Sequence, residues 1–309
     1  MSFVYAINEE EFVIMSDSKI TINDRLQKLW NDYESRRIVE QFGMIKNIIV
    51  SPNIAIAYAG NNIDGVALLL KKILNKSYSL EDIIEIAYEI HTSSDFDNVE
   101  FIIGYYKSDN EKELISIKDG AIIRKCNRVW LGSYDAYKEF KRLEEMIPEK
   151  QYKNQFTVCK ISNGGIHYEP IDEKLAYEYE LERVFKEIVQ SNIDDSVGGM
   201  TVCMKVPNGG CGFEYMAEVG AYAGFEKQQV QSRENIKFYQ GVGKGSYCYN
   251  VYQSNRDFVM YIEEDRLGII YSNEVCYLKG LEGMKYPVLY KNIDEEEFYE
   301  IAVKYGVCF

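Results

Sequence analysis

Ser2-Phe3-Val4-Tyr5-Ala6-Ile7-Asn8-Glu9-Glu10-Glu11-Phe12-Val13-Ile14-Met15-Ser16-Asp17-Ser18-Lys19 follows Met1 at the head of the chain. Two strands are read from it, Ser2 to Asn8 and Glu11 to Ser16, joined by the acidic turn Asn8-Glu9-Glu10. In the first, Phe3, Tyr5 and Ile7 alternate onto one face, and Val4 and Ala6 onto the other with Ser2. Both faces are apolar, which marks a strand covered on both sides. Such a sheet needs a partner layer above and below.

The rest of the sequence supplies candidates for those layers. A polar, partly helical stretch from Ile22 to Gln41 reads as an excursion from the sheet. Apolar runs Phe42 to Val50 and Asn53 to Ala59 flank the turn Ser51-Pro52. Val66, Leu69, Leu70 and Ile73 fit one helix, and Leu80, Ile83, Ile84, Ala87 and Ile90 a second, with Ser79 and Asp82 as its capping box. Strands are expected at Val99 to Tyr106, Glu113 to Lys118 and Ala121 to Leu131, with a hairpin turn at Lys118-Asp119-Gly120. A third helix spans Tyr134 to Met146. Phe156 to Tyr168 reads as an inserted hairpin, and a fourth helix carries Leu181, Val184, Phe185 and Ile188. Met200 to Val206 and Phe213 to Val219 make a last hairpin. Strands, two helices, strands, two helices, strands is an α+β order rather than alternating βαβ units.

The segment from Gly220 differs. It carries Tyr222, Tyr239, Tyr247, Tyr249, Tyr252, Tyr261, Tyr271 and Tyr277 among short β-like runs, and ends in a helix from Glu295 to Tyr305 capped by Asp294. The expected division is therefore 1–219 for the main domain and 220–309 for an accessory, β-rich and tyrosine-rich region.

Composition narrows the function. Among 309 residues, Lys and Arg number 35 against 49 for Asp and Glu, a net charge of −14. That balance argues against nucleic-acid binding and anionic membrane surfaces, whose readers are basic. No apolar run reaches the length of a membrane span, and no signal-peptide pattern opens the chain. The seven cysteines are scattered without a CxxC, as reduced thiols of a cytoplasmic protein would be. With only His91 and His167, no histidine-rich metal centre is expected, and no cofactor motif is found. Gly241-Val242-Gly243-Lys244-Gly245-Ser246 is not a P-loop, because Gly245 separates the lysine from the hydroxyl.

The first two-thirds of the chain resembles a proteasome β-type subunit and the similar bacterial proteasome-like peptidase that partners an ATP-driven unfoldase. The resemblance is carried by Glu11 to Lys19 after the opening strand and by Lys46 in Gly43-Met44-Ile45-Lys46-Asn47-Ile48. Gly60 follows Lys46 by fourteen residues, Leu131-Gly132-Ser133 precedes the third helix, and Asp194-Asp195-Ser196-Val197-Gly198-Gly199 follows the fourth. It implies a four-layer α/β/β/α sandwich of the N-terminal-nucleophile hydrolase type. It also implies Ser2 as nucleophile once Met1 is removed, with its α-amine as base. Asp17 and Lys46 would be the charge pair that tunes that amine, Gly60 the oxyanion donor, and Ser133 and Asp194 the groups that orient the amine. A peptide or protein substrate, self-assembly into rings or other oligomers, and an ATP-driven unfoldase partner belong to the same implication.

The sequence departs from the family pattern at several points. The nucleophile is Ser rather than Thr, and aligning it requires one residue deleted in the first turn; without that gap Met1 falls on the nucleophile position. Val197 stands where the family has a second orienting serine, Lys19 replaces an arginine, and 22–41 is an insertion. A second reading from another class remains: a non-catalytic scaffold or binding subunit of the same fold, using 22–41, the hairpin at 156–168 and the C-terminal region as contact surfaces.

Overall fold

The computed structural model describes residues 2–9, 11–20, 32–60, 63–74, 78–96, 99–147, 157–162, 165–170, 173–191, 193–206, 210, 212–215, 229–233, 236–240, 246–251, 258–262, 266–272 and 286–304. They form an α+β protein of antiparallel sheets and helices. Met1, residues 21–31 of the insertion, and 216–228 lie outside the described residues.

The opening hairpin is as the alternation predicts. β1 (Phe3–Asn8) pairs antiparallel with β2 (Phe12–Asp17), Val4 opposite Ser16 and Asn8 opposite Phe12. Flanking them are β8 (Arg128–Gly132) on β1, and β11 (Thr201–Lys205) with the short β12 (Glu214–Tyr215) on β2; between β8 and β11 in the chain, β9 (Thr157–Ser162) and β10 (Gly165–Pro170) pair as a separate hairpin. The second sheet is a meander of β3 (Asn47–Ser51), β4 (Ile54–Gly60), β5 (Val99–Ser108), β6 (Glu111–Lys118) and β7 (Ala121–Ile123).

Each sheet has two apolar faces, and three clusters cover them. Val4, Ala6, Phe12, Ile14, Val202 and Met204 of the first sheet meet Ala55, Ala57, Ile102 and Leu114 of the second in one core. On the far side of the first sheet, Phe3, Tyr5 and Ile7 pack against α4 (Tyr134–Glu145) and α5 (Glu173–Gln190), with Phe3 stacked on Phe185 at 4.9 Å. On the far side of the second, Ile56, Phe101 and Ile103 pack against α2 (Ile63–Leu74) and α3 (Leu80–Thr92). Burying a side chain of this size stabilises by about 1.5–3 kcal/mol. The α3 capping box is formed: the Asp82 amide donates to Ser79 Oγ at 3.2 Å and the Ser79 amide to Asp82 Oδ2 at 3.0 Å. Ser79→Ala is expected to cost about 1 kcal/mol, checked by a urea unfolding curve with unchanged slope.

One element differs from the sequence reading. The run Ala121 to Leu131 is not one strand: β7 ends in the second sheet and β8 begins in the first. Residues 124–127 turn the chain between them, with Lys125 at φ +55°. Arg124 ties its end to Glu113 and Glu81, whereas Arg128 ties the other end to Glu9 and Glu144. The apolar run Phe42 to Val50 is likewise divided between two elements. α1 (Tyr33–Phe42) occupies its start, capped by Asp32, and β3 begins only at Asn47. Gly43 makes the break. It sits at φ +68°, and a Cβ there would lie 1.6 Å from the Ser18 carbonyl oxygen.

The C-terminal segment forms a six-stranded antiparallel sheet from β13 (Gln229–Arg233) through β14 (Ile236–Gln240), β15 (Ser246–Val251), β16 (Phe258–Ile262) and β17 (Leu267–Ser272) to β18 (Tyr286–Lys291), then α6 (Glu295–Lys304). It does not hang free. Leu267, Ile269 and Tyr271 join the core shared by the two five-stranded sheets. Lys291 of β18 pairs with Asp32 at 3.0 Å and Glu34 at 3.2 Å, at the start of α1. The insertion and the tail thus touch one another.

Candidate active site

At the end of the opening hairpin, Asp17 is fully buried. Its Oδ1 accepts the Lys46 ammonium at 2.7 Å and the Phe3 amide at 2.9 Å; Oδ2 accepts the Gly198 amide at 3.3 Å. Lys46 is only 3% exposed. It is therefore not an edge-strand lysine with its head in water. Nor do the pair lie on adjacent strands of one sheet: Asp17 ends β2, and Lys46 leads into β3 of the facing sheet. The ion pair bridges the two. Burial pushes the Asp17 carboxyl above its ordinary range, against the pull of Lys46 and the amides. Burial likewise draws the Lys46 ammonium below the usual lysine value, opposed by Asp17 and aided by the charge of Lys19.

The backbone around Asp17 is held from three directions. Asp17 faces Thr201 in β11, and the amides of Ser18 and Lys19 both donate to the Gly198 carbonyl, at 3.2 and 2.9 Å. The Ser18 carbonyl accepts the Met44 amide at 2.6 Å, which sets the chain two residues before Lys46. Asn47 follows as a buried clamp, its side-chain amide donating to the carbonyls of Ile14 and Val202.

Ser2 precedes the Phe3 whose amide Asp17 holds, and it is buried, at 5% exposure. Its carbonyl accepts the Ser133 amide at 2.7 Å, extending the β1–β8 ladder by one bond beyond Phe3 opposite Gly132. Ser133 is at once the N-cap of α4, accepting from the Ala136 amide, and a hydroxyl donor to Asp194 Oδ2 at 2.5 Å. The other Asp194 oxygen accepts the Ser196 amide at 2.7 Å and hydroxyl at 2.6 Å. Partial burial raises the Asp194 pKa, but the bonds from Ser133 and Ser196 outweigh it and leave the group below the ordinary carboxylate range.

Gly60 ends β4 at φ +134°, opposite Val99. The side chain of its neighbour Ala59 lies 3.3 Å from where a Gly132 Cβ would be. Five of the six residues singled out in the sequence are thus linked by bonds through the opening strand, and Gly60 stands one residue from the Gly132 turn. Val197 is buried in the helix-side core; the serine one position earlier supplies the hydroxyl to Asp194 instead. The sequence reading missed the Phe3 and Gly198 amides, because any residue type can supply a backbone donor. His91 makes hydrogen bonds of its own elsewhere. That ring meets the Val99 carbonyl at 2.6 Å and accepts the Gly120 amide at 2.9 Å, so it fastens α3 to the β6–β7 turn.

Among the described residues no cluster of three or more His, Cys, Asp or Glu side chains is arranged to hold a metal, and no helix is long and apolar enough to cross a membrane. No family model matches the chain, and no curated protein matches it in sequence.

Proposed function

We propose that this protein is a cytoplasmic amide hydrolase of the N-terminal-nucleophile, proteasome-like type, with Ser2 as nucleophile after Met1 is removed. One observation carries the reading: a lysine–aspartate pair buried between facing sheets and bonded to the opening strand at Phe3, the residue next to Ser2. A fully desolvated ion pair is costly to keep. Placed beside the first residues of the chain, it has a use as the charge that tunes a terminal amine.

The chemistry runs as follows. Ser2 Oγ attacks an amide carbonyl while the Ser2 α-amine takes the hydroxyl proton, near its own ordinary pKa of about 7.7–8.0. Lys46 holds that amine toward its neutral form by like-charge repulsion, and Asp17 holds Lys46. The Gly60 amide stabilises the oxyanion. Collapse of the tetrahedral intermediate breaks the C–N bond, and the protonated α-amine gives its proton to the leaving amine. Water, deprotonated by the same α-amine, then attacks the Ser2 ester; the acyl C–O bond breaks, the ammonium returns its proton to Ser2 Oγ, and the acid is freed. Ser133 and Asp194 orient the amine throughout. The reaction requires no metal or organic cofactor.

The same reading makes residues 1–219 a four-layer α/β/β/α sandwich. What supports it is the pair of antiparallel sheets with apolar clusters on both faces of each. A peptide or protein substrate, a homo-oligomeric ring and an ATP-driven unfoldase partner are part of the proposal. The scaffold reading stands as the alternative; two of the regions it would use, the insertion and the C-terminal strand, are joined to each other through Lys291, Asp32 and Glu34.

Intact-mass spectrometry of the purified protein tests the first step. Loss of one methionine mass is expected, and a retained Met1 excludes the mechanism in that preparation. A fluorophosphonate probe is then expected to label Ser2, with Ser2→Ala lowering the labelling rate by about three orders of magnitude or more. Equal labelling of the two proteins refutes the assignment.

A further inference from the structure

Glu100 is the acidic side chain of β5 that reaches β8 of the other five-stranded sheet. Along β5, Val99, Phe101 and Ile103 belong to the core on the helix side, whereas Ile102 belongs to the core between the sheets. Alternation puts Glu100 on the face of Ile102. It lies opposite Ala59, one residue from Gly60. From there Oε2 accepts the Gly132 amide of the other sheet at 3.3 Å. Lys118 stands 3.9 Å from the other oxygen, its ammonium 3.4 Å from the centre of the Trp130 ring. The Glu100 side chain is 20% exposed. Burial raises its pKa, with Lys118 and the Gly132 amide pulling it back.

A carboxylate at this depth is a costly way to fill an apolar face. Its contact gives it a purpose. Gly132 immediately precedes Ser133, whose amide holds the Ser2 carbonyl and whose hydroxyl holds Asp194.

We propose that Glu100 is a positioning residue for Ser2, fixing the Gly132–Ser133 turn from the facing sheet and so fixing the nucleophile against Asp17 and Lys46. The inference rests on the Ser2 reading and deepens it. Glu100 touches neither substrate nor reacting atom. It acts by accepting one hydrogen bond at a set reach. Displacing a nucleophile by an ångström costs as much as a hundredfold in rate.

Because the contact is an acceptor at a distance, three variants separate it from a charge effect and from plain stability. Glu100→Gln keeps the reach and one acceptor oxygen without the charge. Glu100→Asp keeps the charge and shortens the reach. Glu100→Ala removes both. Fluorophosphonate labelling of Ser2 in the full chain, resolved into the acylation rate at saturation and the probe concentration at half-saturation, is the readout, with melting curves for each protein.

Glu100→Asp and Glu100→Ala are expected to lower the saturating rate about 10- to 100-fold with half-saturation unchanged, and Glu100→Gln to stay within about fivefold of the parent protein. If Glu100→Ala does not fold, the Gln and Asp variants carry the comparison alone. Wild-type rates in Glu100→Asp overturn the proposal, as does a Glu100→Gln as slow as Glu100→Asp. A parent protein that takes no probe at Ser2 is a different failure: it removes the Ser2 reading, and the positioning role falls with it.

Discussion

Gly132→Ala is expected to abolish folding, or to lower the melting temperature by roughly 10 °C or more, while Gly120→Ala leaves the protein folded. Both glycines have positive φ, +87° and +73°. A Cβ at Gly132 would lie 1.8 Å from the Ser2 carbonyl oxygen and 2.7 Å from its carbon, whereas at Gly120 nothing lies within 4 Å. The atoms at Gly132 are backbone, held by the Ser133 amide and by the pairing of Phe3 with Gly132, so they cannot swing aside. Left-handed strain costs each variant about 1–3 kcal/mol. Overpacking adds another 1–3 kcal/mol or so at Gly132 alone. Parallel thermal melts measure the difference. Equal melting temperatures for the two variants would refute the close approach of β8 to Ser2.

Lys46→Met is expected to destabilise by about 3–5 kcal/mol, because it leaves the Asp17 carboxylate buried without a counter-charge. The double variant Asp17→Asn, Lys46→Met removes the stranded charge and is expected to recover a large part of that loss. The cycle of four proteins isolates the coupling between the two sites. The pH dependence has a definite sign. Burial raises the Asp17 pKa in the folded protein. A raised carboxyl contributes stability that is fully present below its unfolded value of about 3.9 and is lost as pH rises through the folded value. With Lys46 gone, the Phe3 and Gly198 amides remain to oppose that rise. The deficit of Lys46→Met relative to the parent should therefore shrink as pH falls from 7 toward 4, measured by denaturant unfolding at each pH. A deficit independent of pH would mean that Asp17 is not the group left stranded. Under the proposed function this variant also loses Ser2 labelling, so the comparison must be made on protein that is still folded.

Several features of this molecule are legible residue by residue. Phe3, Tyr5 and Ile7 divide from Val4 and Ala6 because a strand repeats every two residues, and the two sets enter different cores. Ser79 and Asp82 announce the start of α3 because a cap requires only one turn of chain. Asp17, Lys46, Ser133 and Asp194 stand out only through their order along the chain, and the bonds among them are consistent with that order. Illegible were the break at Arg124 to Asn127 and the facing-sheet geometry of Asp17 and Lys46. An apolar run looks the same whether it stays in one sheet or crosses to another. Glu100 gave no signal either, since its partner is an amide of Gly132, thirty-two positions away in the chain.

Local alternation, helical periodicity and end-capping were thus settled by neighbours within a turn or two, where backbone geometry leaves few choices and side-chain type selects among them. Which sheet faces which, how deeply Lys46 is buried, and which amide Glu100 reaches were settled only when the whole chain closed. Those outcomes depend on contacts between distant segments, whose cost in chain entropy is offset by the apolar cores all forming together rather than by any one stretch.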